Sequence, residues 1–182
     1  IPGITIISPA DSLETVKALE KAVKSESPSY IRLTGSSNNP IVYKEDYDFE
    51  IGKSITLKQG KDITIFGTGS MVYQSLEAAK ILEGKKISTT VVNMHTIKPI
   101  DKIAIDKACS SKLIVTVEEH NVIGGLGSAI AEYKSSLKNS PEQLFIGIQD
   151  TYSKSGSYKF LREKHRLTAE KIVEDIFKKL KT

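Results

Sequence analysis

The order of the strand and helix patterns predicts an α/β fold: a three-layer α/β/α domain with a mostly parallel sheet and one antiparallel edge strand. From residue 55 onward, apolar strand patterns alternate with amphipathic helix patterns, which is typical of a parallel sheet covered on both faces. The runs 55–57 and 63–66 flank a turn-rich loop, which predicts a hairpin and therefore the antiparallel edge. A separate β-α-β unit is predicted before this domain.

The N-terminal residues predict this β-α-β unit, which is too small to be a domain. Residues 4–8 and 30–33 are strand-like, and a helix is predicted over 12–24, where Asp11 and Glu14 have the spacing of a capping box. One apolar stripe of that helix contains Leu13, Val16, Leu19 and Val23. Two strands need further strands to bury them. We expect three parts: a domain fragment at 1–35, a linker at 36–54 and a complete domain at 55–182.

The second region predicts helices and strands in regular alternation. Its helices are predicted at 70–82, 101–109 and 126–137, with a last one capped by Thr168. Its later strands are predicted at 89–93, 113–117 and 144–148. The polar and aromatic segment before residue 55 is predicted to pack against its own domain.

Composition and charge exclude several classes of function. The 26 basic residues exceed the 22 acidic ones by four, but they are scattered, so no nucleic-acid partner is predicted. Cys109 is the only cysteine, which excludes an internal disulfide and indicates a buried structural thiol. No apolar run reaches about 18 residues, so no membrane span is predicted. We expect a cytoplasmic protein, and, since Ile1 runs directly into a strand without methionine, the C-terminal piece of a longer one.

Residues 117–132 place acids, a histidine and glycines between a strand and a helix. The relevant residues are Glu118, Glu119, His120, Gly124, Gly125 and Gly127. In α/β proteins this end of a parallel strand commonly carries sites. His120 is a candidate general base near neutral pH, and Glu118 a candidate site residue beside it. The alternative is that His120 hydrogen-bonds the loop or a subunit contact. No Lys-Ser/Thr pair follows the glycines, so the segment is not a P-loop.

A second glycine motif, Gly67-Thr68-Gly69, also lies between a strand and a helix. It lacks the third glycine of a dinucleotide fingerprint, because Val72 stands there. We expect its glycines to permit a tight turn and close packing of the helix on the sheet. A weak anion site at the helix start is the alternative.

Three further residues are candidates on weaker grounds. His95 follows a strand end and is a candidate interface residue, whereas His165 lies between two basic residues and is predicted to be a solvated helix residue. The three histidines of the chain lack metal-ligand spacing, so no metal site is predicted. Arg32 lies at the end of a strand, where it is a candidate phosphate ligand, with a surface salt bridge as the alternative.

A series of sequence blocks covers nearly the whole chain and is similar, in order and spacing, to one enzyme family. The blocks are 1–11, 28–33, 49–53, 60–64, 67–71, 92–101, 117–132, 148–150 and 155–157. They resemble the C-terminal half of transketolase-like, thiamine-diphosphate-dependent enzymes, in particular the C-terminal subunit of split bacterial and archaeal transketolases. The first two blocks resemble the end of that family's pyrimidine-binding domain, and the others resemble its C-terminal domain.

The resemblance implies a transferase that moves two-carbon ketol units between sugar phosphates in the pentose phosphate pathway. Thiamine diphosphate would supply the carbanion chemistry, and Mg²⁺ or Ca²⁺ would hold its diphosphate. The family carries these ligands and its catalytic residues in an N-terminal domain or subunit and in the earlier part of the pyrimidine-binding domain. The resemblance therefore implies that this chain is inactive alone, binds no cofactor by itself, and serves homodimer formation and active-site shape.

One departure from the family pattern concerns substrate phosphate. The family places a phosphate-binding arginine where this sequence has Gly35, and Arg32 is the nearest replacement. The alternatives within the family are a 1-deoxy-D-xylulose-5-phosphate synthase, which has arginines at both positions, and a 2-oxoacid dehydrogenase β subunit, which has an arginine in place of His95. A non-catalytic assembly or binding module is the alternative from another class.

Overall fold

The computed structural model describes residues 1–35 and 39–181. Its strands are β1 (Thr5–Ile7), β2 (Ser29–Ile31), β3 (Ile55–Lys58), β4 (Ile63–Gly67), β5 (Thr89–Asn93), β6 (Thr96–Lys98), β7 (Leu113–Asn121) and β8 (Glu142–Ile148). Its helices are α1 (Ser12–Val23), α2 (Met71–Gly84), α3 (Lys102–Ala108), α4 (Leu126–Lys134), α5 (Tyr158–Lys164) and α6 (Ala169–Leu180). Most of these agree with the predicted ranges. The sequence patterns did not predict β6 or α5.

The central sheet has the strand order β3-β5-β4-β7-β8. All neighbouring pairs are parallel except β3 and β5, so the predicted parallel sheet with one antiparallel edge strand is confirmed. The predicted hairpin is wrong, because β5 lies between β3 and β4. The loop that joins β3 to β4 crosses the start of β5, where Gly60 approaches the backbone of Thr89 so closely that a Cβ would lie 2.3 Å from its carbonyl carbon.

Two helical layers cover the two faces of this sheet. On one face, α2 and α6 pack Leu82 and Ile176 against Ile65 and Val115 of the central strands. On the other face, α3 and α4 pack Ile105 and Leu126 against strand residues that include Phe66, Val92 and Ile114. The three-layer α/β/α architecture follows from this alternation of strand side chains. In the described part of the chain, no helix is long and apolar enough to cross a membrane.

The N-terminal β-α-β unit builds a second, smaller sheet. β1 pairs in parallel with β2, and its other edge pairs with β6 in antiparallel orientation, so the order is β2-β1-β6. The backbone N–H of Ser8 donates to the carbonyl of His95 at 2.7 Å next to this junction. β6 comes from the second region of the chain, and it therefore supplies the additional strand that the two N-terminal strands need.

The face that α1 buries differs from its apolar stripe. Glu14 and Ala18 are fully buried, whereas Val16 and Leu19 are about half exposed, at 54% and 48%, and Val23 is 84% exposed. Asp11 caps the helix as predicted, because its Oδ1 accepts from the backbone N–H of Glu14 at 2.9 Å. The polar face is buried because its carboxylate finds partners in the rest of the chain, which the periodicity of apolar residues does not reveal.

Candidate functional site

Three consecutive polar residues, Glu118, Glu119 and His120, lie at the carboxyl end of β7, where the parallel strands of the sheet end. β7 continues to Asn121, four residues beyond its predicted end, and these side chains alternate in direction along it. Glu118 is 2% exposed, whereas the side chain of His120 is 45% exposed. The three residues therefore lie in different environments, although they are adjacent in sequence.

Glu118 caps the start of α4. Its two carboxylate oxygens accept from the backbone N–H groups of Leu126 at 2.7 Å and Gly127 at 2.8 Å, where the helix dipole favours a negative charge. A Cβ at Gly125 would lie 1.9 Å from Glu118 Oε2, so glycine is needed there for the close approach. Burial raises the pKa of Glu118, and the two N–H donors act in the opposite direction. The N–H groups at the start of α4 are thus occupied by a carboxylate of the chain itself.

Glu119 joins three separate segments. Its Oε2 accepts from the hydroxyl of Ser70, just before α2, and from the hydroxyl of Tyr158 in α5 at 2.6 Å. Its backbone carbonyl accepts from Nη2 of Arg32 at 2.8 Å. Burial, followed by the hydrogen bond to Glu119, raises the pKa of Tyr158, so its hydroxyl stays protonated and donates. Glu119 therefore fixes the position of Arg32 relative to the central sheet.

His120 lies at the solvent side of the same edge. Its Nδ1 lies 2.9 Å from the carbonyl oxygen of Asn121 and 3.9 Å from Oε2 of Glu118. When Nδ1 carries a proton, it donates to this backbone carbonyl oxygen. The structure thus brings together Arg32, Glu118 and His120 from the predicted candidates, through the strand that carries Glu119.

His95 lies elsewhere, at the junction of the two sheets. Its side chain is fully buried, its ring centroid lies 4.2 Å from that of Phe49, and its Nδ1 lies 2.9 Å from the hydroxyl of Thr96. Burial lowers the pKa of His95 to about 4, so the ring is neutral near pH 7. It shares no hydrogen bond with Glu118 or Glu119 in the part of the chain that the structure describes.

The remaining predicted candidates have mostly local roles. His165 ends α5 and its Nε2 lies 2.5 Å from the hydroxyl of Ser153, so it has a polar partner in addition to solvent. Cys109 is a free, partly buried thiol whose pKa is raised by burial, which does not favour a nucleophilic thiolate. Among residues 1–35 and 39–181, no three His, Cys, Asp or Glu side chains are grouped to hold a metal ion.

The motif Gly67-Thr68-Gly69 serves packing at the start of α2. A Cβ at Gly67 would lie 2.8 Å from the hydroxyl of Ser75, and Gly69 has a φ of +57°. The N–H of Gly69 donates to the carbonyl of Ser8 at 3.1 Å, so the N-terminal unit covers this turn. This geometry fits the structural role that was predicted for these glycines. Ser8 covers the start of α2, where the alternative prediction placed a weak anion site.

A buried polar cluster was missed by the sequence patterns. Glu14 is fully buried and accepts from the N–H of Ala10 at 2.6 Å, the hydroxyl of Tyr47 at 2.7 Å and the side-chain amide of Asn93. The amide of Asn93 also donates to the hydroxyl of Tyr43 at 2.7 Å. This cluster connects the N-terminal unit, the segment before β3 and the end of β5. The capping-box spacing drew attention to Glu14, but nothing local identified its distant partners.

Comparison with known proteins identifies a matching family model and similar sequences. The family model for the transketolase C-terminal domain matches residues 52–172. A protein of Methanocaldococcus jannaschii, provisionally named a transketolase C-terminal section, is 38% identical over 183 residues, covering 100% of this chain and 57% of the relative. A 1-deoxy-D-xylulose-5-phosphate synthase of Dictyoglomus thermophilum is 38% identical over 178 residues, covering 97% of this chain and 29% of the relative.

A solved structure shows the same fold over nearly the whole chain. It is described as a split gene transketolase, inactive beta4 tetramer, and it superposes with a TM-score of 0.90 at 40% identity, covering 98% of this chain and 57% of the other. The chain thus spans little more than half the length of these transketolase relatives, and less of the synthase. The match over two thirds of the sequence and the shared fold lead to one conclusion: the chain belongs to the transketolase C-terminal domain family.

Proposed function

We propose that this chain is the C-terminal part of a transketolase that transfers two-carbon ketol units between sugar phosphates. The observation that carries the proposal is the hydrogen bond from Arg32 to the carbonyl of Glu119, 87 positions away. It fixes a strand-end arginine of the N-terminal unit against the sheet edge of the C-terminal domain. Such an arginine suits the recognition of a substrate phosphate.

Arg32 has hydrogen-bonding capacity left for a ligand. A guanidinium carries five N–H donors, and the structure, over the residues it describes, shows one side-chain bond, from Nη2 to Glu119. The remaining donors suit two oxygens of a phosphate group. Gly35 is exposed, and no atom of the described residues lies within 4 Å of a Cβ built on it, so none of them fills the position of the usual arginine.

We propose that this chain does not supply the primary site of thiamine diphosphate and its Mg²⁺ or Ca²⁺. Its described residues show no cluster of metal-ligating side chains, and Glu118 is occupied by the start of α4. In the proposed enzyme the cofactor supplies the carbanion chemistry and the partner supplies its ligands. Glu118, Glu119 and His120 are then positioning and interface residues, and His95 supports the junction between the two sheets.

The proposed partners are an N-terminal, thiamine-diphosphate-binding domain or subunit and a second copy of this chain. The split-gene character of the structural relative and its description as an inactive assembly of one kind of subunit support a chain that is inactive alone. We propose that residues 1–35 belong to the pyrimidine-binding domain, that 36–54 is a linker and that 55–182 serves dimerisation and the shape of the active-site mouth. We also propose a cytoplasmic location.

The second candidate is a 1-deoxy-D-xylulose-5-phosphate synthase. The relative from Dictyoglomus thermophilum supports it with similarity over nearly the whole chain. Leu33 and Thr34 argue against it, because the synthases carry Tyr-Pro between their two arginines. The missing arginine at Gly35 does not separate the two candidates, since it departs from the transketolase pattern as well.

Reconstitution of the complete enzyme tests both candidates. The natural full-length chain is combined with its N-terminal partner, thiamine diphosphate and Mg²⁺, and xylulose 5-phosphate turnover is measured with ribose 5-phosphate as acceptor. The proposal expects ketol transfer by the complex and none by this chain alone. Formation of 1-deoxy-D-xylulose 5-phosphate from pyruvate and glyceraldehyde 3-phosphate would support the second candidate. Absence of turnover together with absence of cofactor binding would leave the assembly module as the correct function.

A further inference from the structure

A cleft that the proposed function does not use lies on the sheet face that α3 and α4 cover. α3 has seven residues, a length of about 10 Å, and the amino-terminal parts of β4 and β5 line the cleft beside it through Thr64 and Thr90. The cleft has a volume of about 490 Å³, within the range of about 300–1,000 Å³ that small-molecule sites occupy. Its lining includes none of Arg32, Glu118 or Glu119, so it is distinct from the site at the end of β7.

The floor of this cleft is polar. Thr64 and Thr90 are register partners on the adjacent strands β4 and β5, and both line the cleft. The hydroxyl of Thr64 lies 2.7 Å from that of Ser111. The hydroxyl of Thr90 accepts from the N–H of Gly60 at 2.9 Å and donates to the carbonyl of the same residue at 3.0 Å. The opposite face of the same strand buries isoleucines, among them Ile63. Thr64 is 3% exposed, so Thr90 and Ser111 are the hydroxyl groups that a ligand would meet. Each is held in place by its partner and keeps a lone pair that can accept from a hydroxylated ligand.

The rim of the cleft is positively charged. Lys61 and Lys107 both line it and are exposed, and neither ammonium group has an ion-pair partner among residues 1–35 and 39–181. The carboxylate that lines the cleft, Asp101, is already occupied, because it accepts from the N–H and hydroxyl of Ser54 at 2.8 Å each and from the N–H of Ala104 at 3.1 Å. The local charge therefore favours an anion.

One wall of the cleft is apolar. Ile103 is 67% exposed and lies beside Ala104 and Val92 in the lining. An exposed isoleucine next to two lysines and a hydroxyl floor gives three kinds of contact: charge, hydrogen bonds and a surface for carbon atoms. We propose that this cleft binds a small phosphorylated polyhydroxy compound, with its phosphate between Lys61 and Lys107 and its carbon chain against Ile103.

Titration calorimetry on the natural full-length chain tests the proposal with ribose 5-phosphate, ribose and inorganic phosphate. Ribose 5-phosphate is expected to bind at least about tenfold more tightly than ribose or inorganic phosphate, because its phosphate and its sugar both contact the cleft. The double variant Lys61→Gln/Lys107→Gln is expected to lose at least about tenfold in affinity. The control Lys24→Gln/Lys138→Gln makes the same change of net charge at exposed positions outside the lining and is expected to bind normally.

Two further variants separate this cleft from the site at Arg32. Thr56→Trp, at an exposed lining position on β3, narrows the cleft with a residue that strands accept, and it is expected to abolish binding while thermal unfolding is unchanged. Arg32→Ala is expected to leave this binding intact. Binding that is lost in Arg32→Ala but kept in the lysine variant would overturn the proposal, and so would inorganic phosphate that binds as tightly as ribose 5-phosphate.

Discussion

The side-chain amide of Asn93 donates to both carboxylate oxygens of Glu14, at 2.8 and 3.0 Å, although the residues are 79 positions apart. Asn93 ends β5 of the central sheet, and Glu14 lies in the first turn of α1 in the N-terminal unit. The hydroxyl of Tyr47 and the N–H of Ala10 donate to the same carboxylate. A fully buried acid with donors from three segments makes the N-terminal unit and the C-terminal domain depend on one another.

Glu14→Gln should destabilise the whole chain. The N–H groups of Ala10 and Asn93 donate to this side chain, so an amide NH₂ in place of either oxygen faces an N–H donor and the hydrogen bond there is lost. We expect a loss of about 2 kcal/mol in the free energy of unfolding, measured by urea denaturation. The control is Glu20→Gln on the exposed side of α1. An equal, small effect of both substitutions would contradict a structural role for the cluster.

His95 should make stability depend on pH. Burial lowers its pKa from 6.5 to about 4, so between these values the unfolded state binds more protons than the folded state. The contribution is therefore fully present above pH 6.5 and is lost as the pH falls toward 4. We expect this group to lower the unfolding free energy by roughly 2 kcal/mol at pH 5 relative to pH 7.

His95→Asn should remove that part of the pH dependence, whereas His165→Asn, near the surface, should preserve it. Urea denaturation at pH 5 and pH 7 measures the difference for each variant against the parent chain. An NMR titration checks the cause directly, because the ring signals of His95 should not shift above about pH 5. A His95 signal that titrates near pH 6.5 would show that the ring is accessible to solvent.

The elements that could be predicted from sequence are those whose pattern is local. β4 and the first part of β7 are buried on both faces, and each shows in the sequence as a mostly apolar run that one threonine interrupts. β6 has only three residues and no clear pattern, and it forms because β1 offers it a free edge. The hairpin prediction failed because a turn signal between β3 and β4 does not show that β5, later in the chain, inserts between them.

In the candidate site, too, only the features with a local sequence pattern could be predicted. The acids at the end of β7 were visible in the sequence, but their separate roles depend on the direction of each side chain from the strand. Glu118 turns to the start of α4, whereas Glu119 meets Ser70 and Tyr158, which are 49 and 39 positions away. No local pattern joins those hydroxyls to Glu119, because only the packing of α2 and α5 brings them there.

Gly125→Ala should be strongly destabilising. The added Cβ would lie 1.9 Å from Oε2 of Glu118, so the carboxylate would have to leave the N–H groups that it caps. We expect a loss of roughly 3 kcal/mol in the free energy of unfolding, measured by urea denaturation. Gly84→Ala is the matched control, since its Cβ meets nothing within 4 Å and the residue ends a helix. Combining Gly125→Ala with Glu118→Ala should cost less than the sum of the single changes.

Gly35→Arg should strengthen the binding of phosphorylated substrates in the reconstituted enzyme. No atom of the described residues lies within 4 Å of a Cβ at this position, and its backbone is not left-handed, so we expect the free energy of unfolding to be unchanged. A second arginine beside Arg32 adds charge-assisted donors, and we expect the KM of a phosphorylated acceptor to fall about tenfold.

Gly84→Arg, which makes the same change of size and charge in another open position, controls for nonspecific attraction of the anionic substrate. The comparison should be repeated with an acceptor that lacks the phosphate, whose KM should be the same in all three proteins. In the parent chain, Arg32→Met should raise the KM of the phosphorylated acceptor and leave that of the other unchanged. If Arg32→Met affects both acceptors equally, the guanidinium acts only through its bond to Glu119 and Arg32 is a structural link, not a phosphate ligand.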